Sequence, residues 1–179
     1  MLELYFKTQE FFDEKNQKFI TIDGGKLELE HSLYAISAWE SKWKKVFITK
    51  EAHTSEEMLF YIRCMIASEN PNYKLLRLLT QEHYDLVRQY IEDPQTATTF
   101  KETKAPPNNE VITSEVIYYM MISANIPIEC EKWNINRLMA LIRIHNIKSQ
   151  KPKKMSSNAL ASRNRALNAA RREQLGTKG

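Results

Sequence analysis

Glycine is almost missing from this chain: the 179 residues contain Gly24, Gly25, Gly176 and Gly179, with none between positions 26 and 175. Phosphate-binding loops and dinucleotide-binding turns need glycine so that the backbone can turn tightly and approach a phosphate, and both motifs are excluded here. The nucleophile elbow of serine hydrolases falls for the same reason. Long apolar runs are lacking too. No stretch approaches the roughly 18 apolar residues of a membrane span, and the opening "MLELYFKTQEFF" has no basic region followed by an apolar core. A cytosolic protein that does not engage a membrane is expected.

Cysteine and histidine are sparse and scattered. Cys64 and Cys130 stand far apart among apolar neighbours, outside any Cys-x-x-Cys pair, and are expected to behave as small hydrophobes. His31, His53, His83 and His145 occur singly, without metal-ligand spacing. Glu129 and Glu131 flank Cys130 just before Trp133, but no activating histidine lies near in sequence, so a structural role is preferred to thiol chemistry. The chain is read as a non-enzyme with no catalytic, metal or cofactor residues.

What the chain does have is material for burial: 42% hydrophobic and 10% aromatic residues, enough for one folded domain of this length. Leu2, Leu4 and Phe6 alternate, as do Ile20 and Ile22, then Leu27 and Leu29, with Asp23-Gly24-Gly25 between the last two runs. This pattern predicts a small β-hairpin or three-stranded sheet within residues 1–31. Two or three strands are marginal alone and need a covering helix.

Helical spacing dominates from residue 32 to 148. Ser32 is a candidate N-cap for a helix carrying Leu33, Ile36, Trp39, Trp43 and Phe47, which is expected to pack on the sheet. Thr54 and Glu57 form a capping-box pattern ahead of Met58, Leu59, Ile62, Met65 and Ile66. A short apolar piece with Leu75, Leu76 and Leu79 precedes a Thr80-capped helix with Tyr84, Val87 and Ile91 on one side, ending at Asp93-Pro94. Residues 95–110, with Pro106-Pro107, read as an exposed loop. Val116 to Ile122 is the most apolar segment, predicted to be central to the core or inside an oligomer interface. Asn134 caps a last core helix with Ile135, Leu138, Met139, Ile142 and His145 expected inside. The fold class is therefore α+β, mainly α, with residues 149–179 forming a basic linker and a C-terminal helical arm.

Charge is unevenly placed. From Lys148 onward nine basic residues face Glu173 alone, whereas the preceding residues carry 17 basic and 21 acidic side chains. Such asymmetry marks a segment that meets something acidic, either nucleic acid or an acidic protein face. A helix from Ser156 or Ser157 to Gly176 would carry Leu160, Leu167, Ala170 and Leu175 as a thin apolar stripe. Trp39 and Trp43, four apart and flanked by lysines, fit core packing over the sheet with indole N–H groups at the rim, ahead of an aromatic platform for nucleic acid.

The segments "LELEHSLYAISAWESKWKKVF", "DPQTATTF", "ITSEVIYYMMISANIPIECEKWNINRLMALIRIHNIK" and "PKKMSSNALASRNRALNAARREQLGTKG" resemble small proteins of tailed bacteriophages of the tail assembly chaperone type. The resemblance spans almost the whole chain, with "WESKW" and "RNRALNAARR" its most specific elements. It implies a helper that binds the long helical tape measure protein in the host cytoplasm, keeps it soluble while tube subunits polymerise, and is lost from the finished tail. The expected contact residues are Trp39, Trp43, Tyr118, Tyr119, Leu160, Arg163, Arg165, Leu167, Arg171 and Arg172. Self-association fits the all-apolar helix. Two other readings stand beside this one: a structural neck, connector or minor tail component of the virion, and a nucleic-acid binder using the basic arm.

Overall fold

The computed structural model describes residues 1–49, 52–100, 111–149 and 156–177, and the chain divides into two compact units, Met1–Asn146 and Ile147–Gly179. The fold is α+β and mainly helical. Four strands form at the N-terminus where two or three were expected: β1 (Leu2–Phe6), β2 (Gln9–Asp13), β3 (Lys18–Ile22) and β4 (Gly25–Leu29). β1 pairs antiparallel with β4, and β2 with β3. The two small sheets share one register, because Lys7-Thr8 on one side of the break faces Asp23-Gly24 on the other. They form one long ribbon that folds back over residues 14–17, where Asp13 Oδ1 accepts the Lys15 backbone N–H at 3.0 Å and Gln17 takes a φ of 48°.

Gly24 lies at the break in this ribbon rather than in a hairpin turn. Its N–H donates to Thr8 Oγ1 at 2.9 Å, and a Cβ there would come within 2.5 Å of the Phe6 carbonyl oxygen. Close backbone approach explains the glycine. β2 escapes the sequence pattern because Phe11 and Phe12 are adjacent, so one ring goes to each face and no alternation is visible.

The first helix, α1 (Leu33–Trp43), starts where Ser32 Oγ accepts the Ala35 N–H at 3.2 Å and stops at Lys44, which adopts a left-handed φ of 55°. Phe47 therefore lies beyond the helix and turns back edge-on to Trp39, with ring centroids 5.1 Å apart. α2 (Ser55–Met65) opens with the Thr54–Glu57 capping box. Its buried arc runs through Glu57, Tyr61, Ile62 and Met65, which rotates Leu59 outward to the surface instead of inward.

A 3-10 turn (Tyr73–Leu78) buries Leu75 and Leu78, and α3 (Gln81–Glu92) buries Val87 and Tyr90. α4 (Ser114–Ser123), a second 3-10 turn (Ile128–Lys132) and α5 (Ile135–Ser149) follow. α5 buries Ile135, Leu138, Ala140 and Ile142, leaving Met139 and His145 half-buried. α1 packs against α2 and α4, while β1 is covered by α3 and β4 by the Tyr73–Leu78 turn. The sheet thus finds its cover later in the chain than α1. The link after β4 ties the halves of this unit together: Glu30 N–H donates to Met65 O at 2.8 Å, and Ile135 N–H to His31 O at 2.7 Å.

In the second unit, α6 (Ser157–Leu175) ends at Gly176, whose φ of 62° suits a glycine at the helix stop. Thr177 N–H closes the end on Arg172 O at 3.2 Å. Among the described side chains of α6 none is buried.

Candidate protein-binding surfaces

The polar groups inside the first unit hold the scaffold. Glu57 accepts Lys45 Nζ at 2.6 Å and the Thr54 backbone N–H at 2.8 Å, and the lysine bond foremost draws its carboxyl down to about 2. His31 and Tyr61 are buried and hydrogen-bonded to each other through Nδ1 and the hydroxyl. Burial lowers the imidazole to about 4, outweighing the pull of Glu30, and raises the Tyr61 phenol well above its usual range. Glu30 in turn accepts the Tyr90 hydroxyl at 2.7 Å and Asn134 Nδ2 at 3.2 Å. These groups satisfy one another, as buried polar atoms must.

The two tryptophans separate. Trp39 is wholly buried, its Nε1 donating to Glu57 O at 3.0 Å, so it offers no surface to a partner. Its ring meets Phe47 and His53 edge-on. Trp43 is half-buried edge-on to Phe60, with the Lys42 ammonium 4.0 Å from the Phe60 ring centre. Its indole N–H is buried and finds no acceptor among the described residues, rather than reaching the rim.

α4 is a surface helix, which corrects the expectation of a central one. Ser114, Ile117 and Met121 are buried, and Tyr118 is half-buried with its hydroxyl donated to Glu131 at 2.7 Å. Burial and that carboxylate raise the Tyr118 phenol. Tyr119 and Ile122, three apart and so on one side of the helix, are 70% and 69% exposed. The turn that follows exposes Ile128 and Trp133 as well.

The distal ribbon is the apolar surface that sequence spacing missed. Phe11 pairs with Ile20 on one face and Phe12 with Phe19 on the other, and all four are exposed. The readable signal was the Phe-Phe doublet opposite Phe-Ile, which no buried strand with one wet face would carry. Neither known protein-family models, nor curated proteins, nor solved structures match this chain.

Two apolar clefts adjoin. One of about 630 Å³ is lined by Ile91, Pro94, Phe100, Met120, Met139 and Arg143, and one of about 660 Å³ by His31, Phe47, Met58, Arg88, Ile91 and Ile135. Their rims include Phe100, Thr49, Ala52 and Ile112, which flank the undescribed segments 50–51 and 101–110. Most of the expected exposed loop 95–110 thus lies outside the described residues. Cys64 and Cys130 are free thiols, half-buried and buried, and burial pushes the Cys64 thiol up. Among the described residues no group of three or more His, Cys, Asp or Glu side chains is placed to hold a metal ion, and no helix is long and apolar enough to cross a membrane.

On α6 the structure exposes Leu160, Leu167 and Leu175 together with Arg163, Arg165, Arg171 and Arg172. Of the residues expected to meet a partner, Tyr119 and these α6 side chains are accessible, Trp43 and Tyr118 partly so, and Trp39 is not.

Proposed function

We propose that this chain is a non-enzymatic chaperone of phage tail assembly, which shields a long helical client of the tape measure kind by apolar contact. The observation that carries this reading is the outward side of α4, where Tyr119 and Ile122 stand in water on the most apolar helix of the chain. Burying a large apolar side chain is worth about 1.5–3 kcal/mol, so such a pair is a source of binding free energy when a partner covers it. An amphipathic client helix presents anchors at matching spacing. The adjoining apolar clefts and the resemblance to tail assembly chaperones across nearly the whole chain support the same role. The chaperone would act in the host cytoplasm and leave before the tail is complete.

Co-expression with the tape measure protein encoded beside it is the test. The client is expected in the soluble fraction with this chain and in the pellet without it; equal solubility in both cases ends the proposal.

The exposed ribbon favours a second reading, a structural neck, connector or minor tail protein. A two-stranded ribbon with apolar residues on both faces suits insertion between neighbouring subunits. Mass spectrometry of purified particles separates the two: a stoichiometric virion component favours the structural role.

A further inference from the structure

We propose that α6 is a DNA-binding helix whose Asn158–Ala161–Arg165–Asn168–Arg172 face enters the major groove of a B-form duplex, a function independent of client binding. At 100° per residue these five side chains fall within one arc about 80° wide. Asn158, Arg165, Asn168 and Arg172 are exposed, and no acidic side chain or apolar group larger than alanine interrupts the arc. Leu160 and Leu167 lie on the far side of the helix, with Arg163 and Arg171 beside them.

The residue types on this face match what a major groove displays. Arginine pairs in bidentate fashion with guanine O6 and N7, asparagine with adenine N6 and N7, and alanine sits against a thymine methyl. Arg165 and Arg172 are two turns apart, about 10 Å along the axis, which equals about three base-pair steps. A helix with side chains is about 10–12 Å across, and the B-form major groove is about 12 Å wide. The deep, narrow major groove of A-form RNA does not admit it. Charge agrees: α6 carries four arginines against Glu173, with Lys151, Lys153 and Lys154 just ahead in sequence. An acidic protein helix would leave the asparagine amides on this face without the donor and acceptor pattern that base edges supply.

The experiment is fluorescence anisotropy of the full chain with a labelled mixed-sequence DNA duplex of about 20 base pairs, two helical turns, over a range of salt. Binding is expected at about 50 mM salt and should weaken linearly in log–log form as salt rises. Arg165→Ala with Arg172→Ala should weaken binding while leaving that slope nearly unchanged, because the slope counts phosphates neutralised and these arginines meet base edges. Affinity should fall roughly tenfold or more. Leu160→Ala with Leu167→Ala should change neither. Alanine is the best helix former, so helicity measured by circular dichroism should hold in both variants. The proposal is overturned by absence of binding at low salt, by indifference to the arginine pair, by equal loss in the leucine pair, by equal affinity for an RNA duplex, or by equal affinity for a polyglutamate peptide. Tyr119→Ser with Ile122→Ser, on the exposed side of α4, should leave DNA affinity unchanged while lowering client solubility in co-expression, which keeps this outcome separate from the chaperone reading.

Discussion

The Glu40 carboxylate on α1 accepts the backbone N–H of Ser114 through Oε2 at 2.8 Å, tying the start of α4 to the last turn of a helix 74 residues earlier. Its other oxygen accepts the Phe47 backbone N–H at 2.9 Å, so one buried side chain holds both α4 and the loop that follows α1. Glu40→Ala would leave two buried donors unsatisfied, at about 1–3 kcal/mol each. A loss of roughly 4 kcal/mol in urea unfolding is expected, with Glu40→Gln losing less because it keeps an acceptor. A Glu40→Ala midpoint close to the parent's would rule this linchpin out.

His31 should make stability fall on mild acidification. The unfolded chain takes up a proton near the ordinary value of 6.5, while the buried imidazole resists protonation until about 4. The unfolded state thus binds more protons between those values, and stability, full above 6.5, falls by about 1.4 kcal/mol per pH unit within the window. Glu57 acts in a lower range: held near 2, it loses its contribution only as pH falls below its ordinary 4.5. Comparing urea unfolding at pH 7 and pH 5 therefore isolates His31. In His31→Gln, which keeps an acceptor for Tyr61, the drop between these two pH values should shrink by about 2 kcal/mol; an unchanged drop would place its source elsewhere.

Adjacent glycines should answer differently to alanine. At Gly24 a new Cβ meets the Phe6 carbonyl oxygen and the Thr8 nitrogen, both backbone atoms that cannot step aside. At Gly25 it meets only the Leu75 side chain, at 3.4 Å. Gly24→Ala should destabilise by about 1–3 kcal/mol, the usual range for overpacking. Gly25→Ala should stay near the parent, and thermal melts of the two variants provide the check.

Tyr119→Ser with Ile122→Ser should abolish or sharply reduce solubilisation of the helical client. Both sites are exposed, so stability is expected to shift by only about 0.5 kcal/mol each. Full client solubility with the double variant would move the contact surface to the ribbon, where Phe12→Ser with Phe19→Ser is the corresponding experiment.

Local signals in the sequence translated directly into structure. The Ser32 cap, the Thr54–Glu57 box, the Asp93-Pro94 stop and Gly176 at the end of α6 were legible because each rests on backbone chemistry within one helical turn. Failures came where spacing alone had to choose a side. Leu59 was expected inside α2, but it is Tyr61 that turns in, against His31 and Phe47, residues from the links on either side of α1. Likewise Phe47 continues the helical spacing of α1 in sequence, yet Lys44 adopts a left-handed conformation and sends it back across Trp39.

By itself, then, the sequence determined a mainly helical α+β chain, its caps and breaks, and a basic C-terminal helix, since propensity, capping and charge are properties of residues and their near neighbours. Tertiary structure alone decided that Trp39 is sealed in the core while Tyr119 and Ile122 face water, that the ribbon runs on into an exposed aromatic tip, and that Glu40 reaches Ser114. Those outcomes depend on which elements arrive from far along the chain to cover a given face, and periodicity cannot report what is not nearby.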